Sequence, residues 1–462
     1  MSKSRITEFQ KVSREVKRVE RRFGGYDRQA EVPLDERLVR VGRGTPGGEY
    51  LRRTWQPVCL STELGDMPRV VRVLGEDLVV FRTRDGGLGL LDKHCSHRGA
   101  SLEYGLPTDV GIQCCYHGWH FACDGEILET PNDPGSTLKK RMCHPAYPVQ
   151  EVDGIIFAWM GPPDEIPDMA TLDAYRQPDT TAVPFSLYFP CNWVQLLDNT
   201  QDPTHSCFLH TRVSGAQFSE SWGELPELEY VETPLGMINV NVRRWKDNVW
   251  VRTTDVILPN LNQTGALWLS ADDEETFLGA ALTRWMRPID DTHTQMIGWR
   301  YFNEELDREN NGDPEQVGAG KIDFIGQTED ERSYVERQQV PGDYEAIAGQ
   351  GDIAESARWN LNHGDRGVVM LRRLITENID ALAAGEDYKT IERAARIDGV
   401  VPTYTRDSVM RVPKTDEDDR ALMKTFGKQV SQLVFDAAEH PVGSNRDHFS
   451  KELQAFLEPY RP

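Results

Sequence analysis

The sequence predicts an α+β fold: a small antiparallel β region, then a larger part in which helices pack on one antiparallel sheet. Three observations carry that expectation. Short β runs separated by turn residues fill about residues 51 to 165, a strand running into a helix follows from about residue 187, and further strand candidates then give way to long helical patterns.

Residues 1 to 50 form an N-terminal helical extension in this reading, because Ile6, Phe9, Val12, Val16, Val19 and Phe23 recur at spacings of three and four. Such a helix docks on its own subunit or a neighbour; a membrane surface or a redox partner is the alternative for its basic face. From 51 to 165, runs such as VVRVLG and LVVFRT are broken by Gly-Glu-Asp at 75 to 77 and Asp-Gly-Gly at 85 to 87, as hairpins require. The stretch GPPDEIPDM at 161 to 169 reads as a linker. The second domain then spans 166 to 462, with strands INVNVRRW, VWVRTTDVIL and TQMIGWRYF before the C-terminal helices. The polar, Gly-rich segment 307 to 321 reads as a mobile surface loop.

A chain of 462 residues is too long for one ordinary core, so two unequal domains are expected. No stretch approaches the roughly 18 apolar residues of a membrane span. The start MSKSRITEFQKVSREVKRVERRF is polar and basic, which points to a soluble, cytoplasmic protein. A net charge of −22 opposes nucleic-acid binding, and an anionic substrate would need local Arg or Lys. Eight cysteines are too few for a disulfide scaffold, yet Cys95, Cys114, Cys115 and Cys123 cluster, which suggests metal binding.

Cys95-Ser96-His97 and, after sixteen intervening residues, Cys114-Cys115-Tyr116-His117 each offer one thiolate and one imidazole. A Rieske [2Fe-2S] centre needs this set: Cys95 and Cys114 for one iron, His97 and His117 for the other. A Cys2His2 zinc site accepts the same ligands, but its pairs are normally unmixed. His94 and His120 are not expected to be ligands, and Cys115 and Cys123 read as packed small apolar residues.

Asp198, Asp202, His205 and His210 fall within thirteen residues. On a regular helix His205 and His210 diverge by about 140°, so both meet one metal only if the helix unwinds between them. Pro203 is a reasonable cause. Two His and one carboxylate on one side of an iron leave positions open for dioxygen and substrate. Taken alone the pair would read as ordinary core or surface histidines; the cluster motif about 90 residues upstream favours the metal.

With KHCSHRGASLEYG, CCYHGWHFACDGE and NWVQLLDNTQDPTHSCFLH together, the chain resembles the α subunits of Rieske non-haem iron oxygenases of the phthalate-dioxygenase group, most strongly over residues 35 to 260. Within it, VGRGTPGGEYLRRTWQPV, RVVRVLGEDLVVFR and ETPNDPGSTLKKRMCHPAYPVQEVDGIIFAWMGP resemble the 5,5'-dehydrodivanillate O-demethylase oxygenase type. The resemblance implies a helix-grip, START-like catalytic domain with a mononuclear Fe(II). It also implies Asp343 as the third iron ligand, from GDYEAIAGQGDIAESARWNLNHGDRGVVMLRRLI. The chain departs from the group at Gly342 and at Asp352-Ile353-Ala354-Glu355, which keeps Glu345 and Asp352 in reserve.

By the same resemblance Asp202 connects the cluster ligand His117 of one subunit to the iron ligand His205 of the next, implying a homotrimer. Ordinary helix capping is the alternative for Asp202, and Asp198 either orients His210 or is a solvated acid. Electrons are expected from a separate NAD(P)H-dependent reductase, directly or through a ferredoxin, since no G-x-G-x-x-G follows a strand. The reaction expected is O-demethylation or hydroxylation of an aromatic acid, with cis-dihydroxylation as rival. A pure electron-transfer protein would need only residues 51 to 165. Arg243, Arg244, Arg252 and Arg284 lie in strand candidates and could meet a carboxylate, though solvated or sheet-rim charges are the commoner outcome.

Overall fold

The computed structural model describes residues 31–177, 179–213, 215, 219–266, 276–303, 306, 332–414 and 419–461. The amphipathic pattern at 6 to 23 and the Gly-rich segment at 307 to 321 lie outside them. Two short helices, α1 (Glu36–Val39) and α2 (Pro46–Leu51), lead into the first β region.

That region contains three small antiparallel sheets. The first joins β1 (Gln56–Leu60) to β10 (Ile155–Ala158) and β9 (Val149–Val152); the second is β2 (Arg69–Val73), β3 (Glu76–Arg82) and β4 (Leu88–Asp92). The third runs β5 (Leu106–Pro107), β6 (Gly111–Gln113), β7 (His120–Ala122) and β8 (Ile127–Glu129). Val73 pairs with Glu76 around Leu74-Gly75, both at positive φ, the backbone that suits the twist of a two-residue hairpin and needs glycine most. Val79, Phe81, Leu91, Leu102, Ile112 and Phe121 form a core directly under the two cysteine loops.

A short parallel pair, β11 (Thr171–Leu172) with β20 (Val400–Val401), precedes the main sheet. Nine strands of the described residues make that sheet, entirely antiparallel. Its main path is β12 (Thr181–Phe189), β19 (His293–Phe302), β18 (Ala280–Asp290), β16 (Leu261–Gly265), β15 (Asn248–Ile257), β14 (Gly236–Trp245) and β13 (Glu227–Glu232). β21 (Arg406–Arg411) joins β15 to β17 (Thr276–Leu278).

Helices cover both faces. On the outer face, Ile238, Val240 and Val242 meet Phe426, Val430 and Val434 of α8 (Arg420–Ala438), backed by Phe449 and Leu453 of α9 (Ser444–Leu457). On the inner face, Met237, Val256, Met286 and Met296 pack with Trp193, Leu196 and Leu197 of α3 (Trp193–Thr200) and with Leu371, Leu374 and Ile375 of α7 (Arg366–Ala384). The helices α4 (His205–Cys207), α5 (Tyr334–Gln339) and α6 (Asp343–Ala348) complete the fold. Burial on both sides explains why β14 is inaccessible along most of its length despite its alternating polar residues.

Candidate metal centres

Two loops of like geometry carry the cluster motif. The Cys95 amide donates to the Ala100 carbonyl (2.9 Å) and the Gly99 amide back to Cys95 (2.8 Å). Likewise the Cys114 amide donates to Trp119 (2.8 Å) and the Gly118 amide to Cys114 (3.0 Å). Gly99 and Gly118 close these turns at φ 77° and 75°, where a side chain would be strained. The loops bring the His97 and His117 rings to 4.5 Å and the two thiols into one buried contact.

Nδ1 of His97 is buried with no hydrogen-bond partner, a costly state for a polar atom that coordination to iron would relieve. Burial pushes the Cys95 thiol up to about 11; an iron would take the thiolate and release the proton. The donor set therefore fits a [2Fe-2S] cluster held by two Cys and two His. Trp119 stacks on His97 (4.9 Å, 5°) and donates its indole N–H to Asn132 (2.8 Å). The buried His144 accepts at Nδ1 from Ser96 (2.7 Å) while its Nε2–H donates to the Asp92 carbonyl (2.9 Å), bracing the first loop. Neither Asn132 nor His144 was legible from spacing. His94 and His120 are occupied by the Gly99 carbonyl and Thr108, as structural histidines. Cys123 packs at the edge of this core, but Cys115 is exposed, contrary to the packed role expected for it, because the second loop turns it outward.

The second constellation lies where β12 leads into α3, capped by Asn192, whose side chain accepts from Val194 (3.1 Å). α3 ends at Thr200, and after Pro203 the chain resumes as α4 and then a π-helical turn, Phe208–Val213. In an i→i+5 turn residues five apart come towards one face, so the π-turn removes the divergence a regular helix would impose on His205 and His210; Pro203, expected to unwind the chain between them, precedes both and instead separates α3 from α4. Asp343, first residue of α6, completes a group whose ligand atoms lie within 4.8 Å of one another. His205 Nε2 is 3.5 Å and His210 Nε2 3.3 Å from the same Asp343 oxygen, near the ~3 Å separating adjacent ligands of an octahedral ion. The His205 Nδ1–H donates to the Asp202 carbonyl, which leaves its Nε2 lone pair facing the carboxylate. Two imidazoles converging on one carboxylate oxygen offer three ligand atoms to a single point, so the residues fit a metal.

Both reserve carboxylates are placed elsewhere. Glu345 accepts from the Gly342 amide (2.8 Å) and pairs with Arg332 (3.2 Å), while Asp352 is exposed. Asn199, missed in the sequence, donates to Asp343 (3.3 Å). Asp198 neither orients His210 nor meets solvent: it is buried and receives two N–H groups of Arg372, from Nε (3.0 Å) and Nη2 (2.6 Å), locking α3 to α7. The Asp202 carboxylate, partly exposed, caps Thr204 (3.0 Å).

Of the four arginines, Arg244 pairs with Asp419 (2.6 Å) and Arg252 with Asp407 (2.8 Å). Arg243 spends four of its five N–H donors on chain acceptors. Arg284 points from the inner face, with Asn262 (3.1 Å) and the Met296 sulfur (3.5 Å) as neighbours. Burial pulls it down to about 10, and the nearest anion acting on it is Asp343.

Comparison with known proteins gives a match to the Rieske [2Fe-2S] domain over residues 54–147. The tert-butanol monooxygenase / tert-amyl alcohol desaturase oxygenase subunit of Aquincola tertiaricarbonis is 41% identical over 93% of this chain and 95% of its own. This chain belongs to the Rieske non-haem iron oxygenases. The 5,5'-dehydrodivanillate O-demethylase oxygenase subunit of Sphingobium sp. (strain NBRC 103272 / SYK-6) is 31% identical over 83% of this chain and 89% of its own. A crystal structure of dicamba monooxygenase bound to 3,6-dichlorosalicylic acid superposes with a TM-score of 0.54 at 19% identity, covering 73% of this chain and all of that one, which shows the fold. As a Rieske oxygenase component the chain carries a [2Fe-2S] cluster and a mononuclear iron, and uses dioxygen with electrons from a separate component. No helix among the described residues is long and apolar enough to cross a membrane.

Proposed function

We propose that the chain is the terminal oxygenase of a cytoplasmic multicomponent system that O-demethylates or hydroxylates an aromatic acid, fed by an NAD(P)H-dependent reductase, directly or through a ferredoxin. In this reading residues 51–165 form the cluster domain and 166–462 the catalytic domain. Cys95, His97, Cys114 and His117 hold the cluster, and His205, His210 and Asp343 hold the iron. Bound there, the cluster stores an electron and the iron activates dioxygen beside the substrate.

The observation that carries the reading is the convergence of two imidazoles and one carboxylate with a half-buried arginine near them. His205 is held in the Nε2-facing tautomer by the Asp202 carbonyl. Arg284 offers a charge-assisted clamp for a carboxylate. Asp202 connects the two metal sites between subunits of a homotrimer, reaching the partner subunit's His117; its partial exposure supports that role.

Two other reactions remain in play through specific observations. The aromatic-ring dioxygenases among the relatives support cis-dihydroxylation, and the relative named for tert-butanol supports oxidation of a small alcohol. Turnover with a reductase and an O-methylated aromatic acid, the parent acid and tert-butanol separates them. Formaldehyde or a phenol from the acids supports the main reading. A dihydrodiol, or turnover of tert-butanol alone, replaces it.

A further inference from the structure

The alternating residues Asn239, Asn241 and Arg243 of β14 point to the inner face and are at most 2% exposed. They form one ladder. Asn239 Nδ2 donates to the Thr200 carbonyl (3.1 Å) and to Gln201 Oε1 (3.4 Å), and Asn241 Nδ2 donates to Asn239 Oδ1 (2.9 Å). Arg243 Nη1 donates to Asn241, its Nη2 to the Pro203 carbonyl (3.2 Å) and Ser206 Oγ (3.0 Å), and its Nε to the Glu224 carbonyl (3.1 Å). The guanidinium lies 5.4 Å from the Trp222 ring and 5.1 Å from that of Trp250, which fixes its plane.

The segment gripped is the one that bears Asp202 and His205. Breaking the helix at Thr200 leaves carbonyls without intrahelical donors, and the ladder supplies donors to those of Thr200 and Pro203. Four of the five N–H donors of Arg243 are spent on the chain, which leaves at most one for anything else.

We propose that Arg243, heading the Asn239–Asn241–Arg243 ladder, is a positioning residue that fixes the helix break and thereby the place of His205 relative to His210 and Asp343. The proposal rests on the iron-site reading above. His205 follows Pro203 by two residues and precedes Ser206 directly, so losing the guanidinium frees both ends of the turn that aims its Nε2.

The test is anaerobic equilibrium dialysis of the cluster-containing protein against Fe(II), with the EPR signal of the ferrous nitric oxide adduct as a second readout. Arg243→Met is expected to weaken Fe(II) binding at least ~10-fold and to broaden the signal, the scale seen when groups behind a metal ligand are removed. Arg243→Lys should restore part of the affinity. Arg252→Met is the control: buried, charged and stacked on the same Trp222 ring (5.0 Å), it pairs with Asp407 and makes no hydrogen bond to residues 200–206, so it should lower stability but leave Fe(II) binding within about twofold. Wild-type affinity in Arg243→Met, or an equal loss in Arg252→Met, overturns the proposal. If Arg243→Met does not fold, Arg243→Lys and Ser206→Ala decide: weaker binding with an altered signal supports the ladder, and wild-type values in both refute it. His205→Ala separates the two claims. Fe(II) retained there removes the iron-site reading itself, whereas Fe(II) lost there and kept in Arg243→Met removes only the ladder.

Discussion

Replacing Arg372 by Met should be among the most destabilising single changes outside the metal ligands. The Asp198 carboxylate is 7% exposed, and two N–H groups of Arg372 satisfy it at 3.0 and 2.6 Å. Burial already raises the Asp198 carboxyl above its ordinary range, with Arg372 opposing the shift. Removing Arg372 strands a buried charge, which costs about 3–5 kcal/mol, and the guanidinium contact with Trp359 (4.5 Å) is lost as well. The double change Asp198→Leu with Arg372→Leu removes both charges and should recover most of that loss. A group whose folded pKa is raised stabilises below its unfolded pKa and loses that contribution as pH climbs through the folded one. The defect of Arg372→Met should therefore shrink on acidification, as Asp198 takes a proton. Urea unfolding followed by tryptophan fluorescence at pH 5 and pH 8 measures both effects. A single variant within about 1 kcal/mol of wild type at pH 8, or a double variant as unstable as the single, refutes the reasoning.

Three further outcomes follow from the site and the core. Asp255, fully buried on β15 with one oxygen unpartnered, is pushed up to about 7 by burial, so the stability its neutral form confers is lost as pH climbs from its ordinary value to about 7, ~4 kcal/mol in all and ~2 kcal/mol of it above pH 5.5. Asp255→Asn should flatten the fall in urea midpoint between pH 5.5 and 8.5; parallel pH profiles for the two proteins would contradict this. Arg284→Leu should raise KM for a carboxylate substrate by about 10-fold or more while barely affecting an uncharged one, and equal effects on both would exclude the clamp. Asp202→Asn should keep both metals yet lower turnover by about 10–100-fold, and wild-type turnover rules out the connection between centres.

The fold was legible because its signals are local. Hairpin chemistry at Leu74-Gly75, the run from β12 into α3 and the two mixed Cys/His pairs needed no long-range information. The need for an irregular turn between His205 and His210 also followed from geometry alone, since a regular helix cannot aim both at one ion; that the chain meets it with a π-turn, and not through Pro203, did not. The polar residues of β14 show why the remainder was hidden. Alternation of Asn, Val, Asn, Val and Arg reads as one wet face and one dry face, yet both faces are buried, and the wet one hydrates a broken helix in place of solvent. Asp198 misled for the same reason, because its partner Arg372 lies 174 residues away. His144 and Asn132 reach the cluster loops across similarly silent spacings.

Iron and acid-labile sulfide content, with EPR after reduction, on the wild type and His205→Ala tests the central claim most directly. Two metal centres predict about three irons and two sulfides per chain in the wild type, and one iron fewer in the variant with the Rieske signal intact. Zinc in place of iron, or about two irons unchanged by the substitution, would contradict it.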